Sequence, residues 1–117
     1  MIRVIIERKL KKVEHISRLI RQIRVAAMAQ QGYISGETLV GTEDTHAITV
    51  ISTWKSLEDW QAWEKSEQRI ALERQIAALL TEPPMVKTYR VMSAEELEYL
   101  EDPEGWLRER ERHSLDG

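Results

Sequence analysis

The sequence predicts an α+β domain in which four strands and two helical units follow one another in the order β–α–β–β–α–β. Three observations lead to this order: short runs rich in β-branched residues, two longer runs with apolar residues at helical spacing, and a polar turn between the second and third strand-like runs. Two β–α–β connections give a four-stranded antiparallel sheet covered by helices on one face, which is the ferredoxin-like arrangement. A length of 117 residues fits one such domain.

The first half of the chain supplies three strands and one helix. Residues 2–9 are rich in Ile and Val and predict a strand, and Gly32 stands where a glycine typically ends a helix. Residues 33–41, with a bulge expected at Gly36, and residues 46–54 predict an antiparallel hairpin. A helix between the first two strands is predicted from an apolar stripe at spacings of three and four. This stripe is formed by Val13, Ile16, Ile20, Ile23 and Ala27.

Two serines divide the second helical unit. Ser56 precedes a helical run and has Asp59 three residues later, which is typical of a helix N-terminus. Ser66 is a second N-cap candidate, so we expect the helix to break or bend there. A Pro–Pro dipeptide ends this unit, and residues 85–92 predict the fourth strand. The apolar stripe of the second piece is formed by Leu72, Ile76, Leu79 and Leu80.

The composition changes after the fourth strand, so we divide the chain into a domain at residues 1–92 and a charged tail at residues 93–117. Ser93 and Glu96 have the spacing of a capping box, which predicts a helical segment. We expect the tail to be partly helical and to pack on the domain or on a partner subunit through its few apolar residues, which are Leu97, Leu100, Trp106 and Leu107.

The composition excludes several classes of protein. Cysteine is absent, which excludes disulfides, thiolate metal sites and cysteine nucleophiles and fits a reducing cytoplasm. No apolar run approaches the ~18 residues of a membrane span, and the opening stretch is too short for a signal peptide. We therefore expect a cytoplasmic protein with no membrane partner.

The charge of the chain is unevenly distributed. Residues 1–30 carry eight basic and two acidic residues, a net charge of +6, whereas the whole chain carries −3. A basic segment of this kind binds nucleic acid in some proteins, or it forms the solvated edges of a strand and a helix. Because no aromatic residues are interleaved with these basic residues, the second interpretation is favoured and no nucleic-acid partner is expected.

The sequence contains no motif for a metal or a phosphate. The three histidines, His15, His46 and His113, are far apart and have no metal-like neighbours at helical spacing, so no metal site is expected. The remaining chemical feature is an aromatic corner, where Trp54 ends a strand and Trp60 and Trp63 lie one turn apart on the next helix. These tryptophans either fill the end of the core or line a pocket for a flat, unsaturated ligand.

The phrases "GYISGETL" at 32–39, "STWKSLEDWQAWEKSEQR" at 52–69 and "VKTYRV" at 86–91 resemble the antibiotic biosynthesis monooxygenase domain family over roughly residues 1–92. The resemblance implies a ferredoxin-like chain that dimerises, so that two sheets join into a dimeric α+β barrel. A homodimer would bury the uncovered sheet face, which holds either Ile48 and Val50 or their neighbours Ala47 and Ile51.

One branch of the family oxidises polycyclic aromatic phenols with molecular oxygen and needs no metal or flavin. For this chain, the resemblance implies a cofactor-independent monooxygenase that acts on a small or polycyclic aromatic compound. Trp54, Trp60 and Trp63 would be the walls of the substrate site, Arg8 would bind a phenolate or oxyanion, and Glu73 would be the general base. Arg8 and Glu73 form, in the alternative interpretation, only an ion pair between strand and helix.

A second branch of the family binds and degrades haem through a histidine, a tryptophan and an asparagine. Trp63 matches the tryptophan, but Glu73 stands at the histidine position and the asparagine position falls at or next to Arg8. A carboxylate is a poor axial ligand for haem, which makes this branch the weaker alternative. A non-catalytic small-molecule-binding or stress-related module is the other alternative. Whether the pocket serves catalysis or only binding, we expect Trp54 and Trp60 mainly to pack and Trp63 mainly to face the ligand.

Overall fold

The fold was analysed in a computed structural model, which describes residues 1–98 and 100. Its four strands are β1 (Ile2–Lys9), β2 (Tyr33–Val40), β3 (Ala47–Trp54) and β4 (Met85–Arg90). They form one antiparallel sheet in the order β2-β3-β1-β4. The predicted hairpin and the four-stranded α+β, ferredoxin-like fold are confirmed.

In the described residues, four helices connect or follow these strands. They are α1 (Ile16–Met28), α2 (Leu57–Glu64), α3 (Glu67–Ala77) and α4 (Ala94–Glu98). The amide nitrogens of Asp59 and Arg69 donate to the hydroxyls of Ser56 and Ser66, respectively. Both serines are therefore N-caps, and the break predicted at Ser66 is confirmed. No helix in the described part of the chain is long and apolar enough to cross a membrane.

The core lies between the sheet and the helices. Along β1 the inward positions are Val4, Ile6 and Arg8, which are buried and alternate with more exposed residues, as the twofold periodicity of a strand requires. Helix α1 faces them with an apolar stripe. The buried members of that stripe are Ile16, Leu19, Ile20, Ile23 and Ala26, with Ala27 partly buried.

Two residues of the first half differ from the sequence-based expectation. Helix α1 begins only at Ile16, so Val13 lies in the preceding loop and is half exposed. The helix ends at Met28, and Gly32 lies in the turn that leads to β2. Gly32 is required there for a different reason: its φ is 85°, and an added Cβ would lie 2.1 Å from Oδ2 of Asp59.

The irregularity in β2 also differs from its expected position. The register with β3 shifts between Tyr33 and Ser35, two residues before the glycine at which the bulge was expected. Gly36 is a regular partner of Ser52, and an added Cβ there would lie 2.4 Å from the Tyr33 hydroxyl. The glycine therefore makes room for the tyrosine side chain along the strand.

The uncovered face of the sheet is mixed in character. Register and side-chain alternation place Ala47 and Ile51 on this face, whereas Ile48 and Val50 lie on the helix-covered face. Of the two alternatives given by the sequence, Ala47 and Ile51 are therefore the pair on the uncovered face. Further apolar residues on the uncovered face are Ile5, Leu39, Met85 and Tyr89, of which the last three are exposed in the single chain.

The described part of the tail begins with the expected capping box. The Glu96 amide donates to the Ser93 hydroxyl, and the Ser93 amide donates back to the Glu96 carboxylate. Arg90 of β4 forms two hydrogen bonds to that carboxylate, at 2.7 and 2.5 Å, which connect α4 to the sheet. Leu97 and Leu100 are exposed, and Trp106 and Leu107 lie outside the described residues.

Truncating Trp54 should destabilise the domain strongly. Its side chain is fully buried, and its Nε1 donates to the Ser52 hydroxyl over 3.0 Å. Trp54→Ala should lower the free energy of unfolding by ~3–5 kcal/mol, as measured by urea denaturation. The exposed neighbour provides the control, since Lys55→Ala should change it by less than ~0.5 kcal/mol. A loss below ~1 kcal/mol for Trp54→Ala would contradict its place in the core.

The Glu96 carboxyl should titrate at unusually low pH. The Arg90 hydrogen bonds, followed by that from the Ser93 amide, lower the pKa of Glu96 to about 2. The contact between α4 and β4 should therefore be complete above pH ~4.3 and weaken as the pH falls through about 2. An NMR titration of the carboxyl carbon measures this pKa. Arg90→Gln should raise it toward ~4.3, whereas Lys87→Gln, on the opposite face of β4, should leave it low.

Candidate functional site

A pocket lies between the helices and the covered face of the sheet, beside the edge strand β2. The space open to the centre of a water molecule is about 40 Å³, enough for a few waters, whereas benzene occupies a cavity of ~150 Å³. The walls come from every element of the domain except β4: Ile6, Arg8, Ile20, Ile23, Arg24, Ala27, Tyr33, Gly36, Glu37, Thr38, Val50, Ser52, Trp54, Trp60, Trp63 and Arg69.

The three tryptophans of the aromatic corner lie together along this pocket. Trp54 and Trp60 meet edge to face with ring centroids 5.8 Å apart, and Tyr33 meets Trp54 in the same way at 5.4 Å. The exposed fractions of Trp54, Trp60 and Trp63 are 0%, 2% and 3%. Because all three are buried and all three line the pocket, burial does not separate a packing pair from a ligand-facing Trp63.

Arg8 and Glu73 form an ion pair between β1 and α3. Arg8 is only 2% exposed, and its Nη2 donates to Oε1 of Glu73. The ion pair that the sequence left as an alternative is therefore present. Arg8 also lines the pocket, whereas Glu73 is not among the lining residues. The roles of Arg8 as an oxyanion partner and Glu73 as a base remain predictions.

A second arginine joins this pair. Nη2 of Arg69 lies 3.4 Å from Oε1 of Glu73, and its guanidinium carbon lies 5.2 Å from the centre of a Trp60 ring. Burial lowers the pKa of Arg69 below its ordinary value; Glu73 opposes this shift and Arg8 adds to it. The sequence analysis assigned no role to Arg69. Its spacing of four from Glu73, on a helix capped by Ser66, is the sequence signal that could have revealed their shared face.

The resulting cluster has more positive than negative charge. Two guanidinium groups, Arg8 and Arg69, share one carboxylate, Glu73. In addition, Nε of Arg8 is buried and has no hydrogen-bond partner among the described residues. Buried N–H donors are rarely left without an acceptor, because the lost hydration is not replaced.

The mouth of the pocket lies between α1 and β2. Arg24, Glu37 and Thr38 line the pocket and are exposed, which marks the side that meets solvent. Arg24 reaches across from α1, and its Nη2 donates to the Gly36 carbonyl oxygen over 2.9 Å. This hydrogen bond joins the helix to the edge strand directly at the mouth.

The described histidines lie away from the pocket. His15 precedes α1 and His46 precedes β3; both are exposed and neither lines the pocket. His113 lies outside the described residues. In residues 1–98 and 100, no group of three or more His, Asp or Glu residues is placed to hold a metal ion.

Solved structures with the same fold were found at low sequence identity. A conserved protein from Methanosarcina mazei Go1 is 18% identical with a TM-score of 0.73, covering 78% of this chain and 92% of its own. SnoaB, a cofactor-independent oxygenase from Streptomyces nogalater, is 8% identical with a TM-score of 0.72, covering 80% and 94%. Rv0793 from Mycobacterium tuberculosis is 14% identical with a TM-score of 0.69, covering 80% and 97%.

Sequence comparison identifies the family directly. No protein of curated function matches the sequence. The profile of the family Antibiotic biosynthesis monooxygenase matches residues 1–75. This range includes β1, α1, β2, β3, α2, most of α3 and every residue that lines the pocket. The family resemblance stated from the three sequence phrases is thereby confirmed, and the chain belongs to the Antibiotic biosynthesis monooxygenase family.

Proposed function

We propose that this chain is a cofactor-independent monooxygenase that oxidises an aromatic compound with molecular oxygen in the tryptophan-lined pocket. The observation that carries the proposal is a buried arginine, Arg8, beside three tryptophans in one pocket. Membership of the family and the fold shared with SnoaB, a cofactor-independent oxygenase, support the same reaction class.

The proposed reaction uses the electrons of the substrate itself. Loss of a proton from an activated CH₂ group beside two aromatic rings gives a carbanion, which is also the phenolate of the enol form. The carbanion transfers electrons to O₂, a C–O bond forms, and the peroxide loses water. In balance, the CH₂ group and O₂ give a ketone and one H₂O. The protein has to bind, desolvate and deprotonate the substrate.

The side chains of the pocket fit these tasks. Trp54, Trp60 and Trp63 offer aromatic faces and edges to a flat substrate, and Arg8 provides positive charge for the oxygen of the phenolate. Glu73 is the proposed base. Because its Oε1 faces Arg8 and Arg69, a proton reaches the carboxylate through a bridging water or after a shift of one guanidinium.

Oxygen uptake should test the proposed activity. Anthrone is a suitable probe, because it is flat and its CH₂ group ionises readily. With this probe, the protein should raise O₂ consumption and anthraquinone formation well above the spontaneous rate, and a metal chelator should not reduce the effect. Trp63→Phe should lower the rate about tenfold, equivalent to ~1.4 kcal/mol in the barrier, because it removes ring area from the wall. Lys55→Ala, at an exposed position, is the matched control.

The alternative of a non-catalytic binding module predicts a different outcome. Such a module would bind the same aromatic probes, seen by quenching of tryptophan fluorescence, without any O₂ uptake above background. Saturable binding of several polycyclic phenols without turnover of any of them would overturn the monooxygenase proposal.

We also propose that the chain acts as a homodimer in which the uncovered sheet faces pack together. One row across this face reads Lys87, Ile5, Ile51 and Glu37, from edge to edge. A twofold axis parallel to the strands would place Lys87 over the partner's Glu37 and Ile5 over the partner's Ile51. The next row would place Met85 over the partner's Leu39. The face is therefore self-complementary in both charge and apolar character.

Light scattering at micromolar concentration should give the mass of two chains. Lys87→Glu should weaken the dimer, because it places like charges opposite each other, and adding Glu37→Lys should restore it. Arg18→Glu, on the exposed side of α1, should leave the dimer intact. A single-chain mass for the parent protein, or failure of the double variant to recover, would contradict this packing.

A further inference from the structure

We propose that the ligand of this pocket is an aromatic monoanion, with its negatively charged oxygen against Arg8 and Arg69 and its ring against the tryptophans. The inference rests on the proposed function in one respect, since it takes the substrate to occupy the same pocket. It goes further by assigning the charge and chemical class of that substrate, and by making Arg69 part of the binding site.

The first support is the charge of the cluster. Arg8 is almost fully buried and Arg69 largely so, while the only carboxylate in contact with both is Glu73 in the described part of the chain. Removing charge from water is costly unless an opposite charge lies close by. At contact distance two positive charges face one negative charge, and Glu64 adds only a weaker attraction on Arg69. A negative charge in the ligand would complete the compensation.

The second support is the buried Nε–H of Arg8. Arg8 is 2% exposed, lines the pocket, and uses Nη2 for its contact with Glu73. The Nε atom has no acceptor among the described residues. Nε–H is a separate donor next to Nη2, so Nη2 can hold Glu73 while Nε–H donates to an oxygen in the pocket.

The third support is the nature of the remaining wall. The rest of the interior is mainly aliphatic and aromatic, formed by Ile6, Ile20, Ile23, Val50 and the three tryptophans. Such a wall favours a flat apolar body with its charge at one end. A second charge, at the opposite end of the ligand, would meet this mainly apolar wall, so the pocket favours a monoanion over a dianion.

Arg69 is oriented for this role by two contacts. Its guanidinium lies over Trp60, and its Nη1 lies 3.5 Å from the Glu64 carbonyl oxygen. With Trp60 as its neighbour on one side, the guanidinium keeps N–H groups for hydrogen bonds to an oxygen anion. Because Arg69 lies in the first turn of α3 and Arg8 lies on β1, the anion would be held between the two layers of the domain.

Matched naphthalene probes test the charge preference. Titration calorimetry with 2-naphthoate and 2-naphthamide compares an anion with a neutral isostere of the same shape. The parent protein should bind the naphthoate at least about tenfold more tightly. Arg69→Met should abolish this preference while leaving the Arg8–Glu73 pair in place. Arg74→Met, at an exposed position on the same helix, should keep it.

An NMR measurement on the unmodified protein covers the case in which Arg69→Met does not fold. Naphthoate, but not naphthamide, should shift the Nε–H resonance of Arg8. Equal or tighter binding of the amide by the parent, no binding of naphthoate up to 1 mM, or retention of the preference in a folded Arg69→Met variant would each overturn the inference.

The outcome is separable from that of the proposed activity. Naphthoate has no CH₂ group to oxidise, so its binding is measured without turnover. Naphthoate binding without anthrone oxidation would keep the anion site and remove the monooxygenase proposal. Anthrone oxidation without an anion preference would keep the monooxygenase proposal and remove the anion site.

Discussion

The buried ion pair between Arg8 and Glu73 constrains most of this domain. The other inward positions of β1 are Val4 and Ile6, so the strand places a guanidinium in a row that is otherwise apolar. Leaving such a charge without its partner costs ~3–5 kcal/mol. Helix α3 must therefore bring its carboxylate over the end of β1. That requirement fixes the helix against the sheet, and the position of the helix in turn determines where Arg69 meets Trp60.

The features that the sequence predicts well depend on residues close together in the chain. The N-caps at Ser56 and Ser66 are local hydrogen bonds to the amide three residues later, so their spacing is sufficient to predict the break between α2 and α3. The strands follow from runs of β-branched residues, and their order follows from the alternation with helices. The aromatic corner is local too: Trp54, Trp60 and Trp63 lie within ten positions, and the fold brings them to one pocket.

The features that the sequence does not reveal depend on contacts between distant residues. The role of Arg69 becomes visible only once Arg8, sixty-one residues earlier, is placed beside Glu73. The bulge in β2 lies before Gly36, and the glycine instead leaves room for the Tyr33 hydroxyl, a contact about which local propensity contains no information. Likewise, the position of Trp63 near a helix end led to the prediction that it faces the ligand, and its burial to 3% exposure, together with its place in the pocket wall, does not test that prediction.

The small volume of the pocket has a consequence for how tightly any ligand is held. A pocket of about 40 Å³ is too small to enclose an aromatic ring, so full burial of a ring requires conformations in which the wall has moved. The measured dissociation constant is then the intrinsic one divided by the fraction of molecules in such conformations. A one-percent open population weakens apparent affinity about a hundredfold, or ~2.7 kcal/mol. The hydrogen bond from Arg24 to the Gly36 carbonyl oxygen joins α1 to β2 at the mouth, so any conformation that widens the mouth between these two elements has to break it.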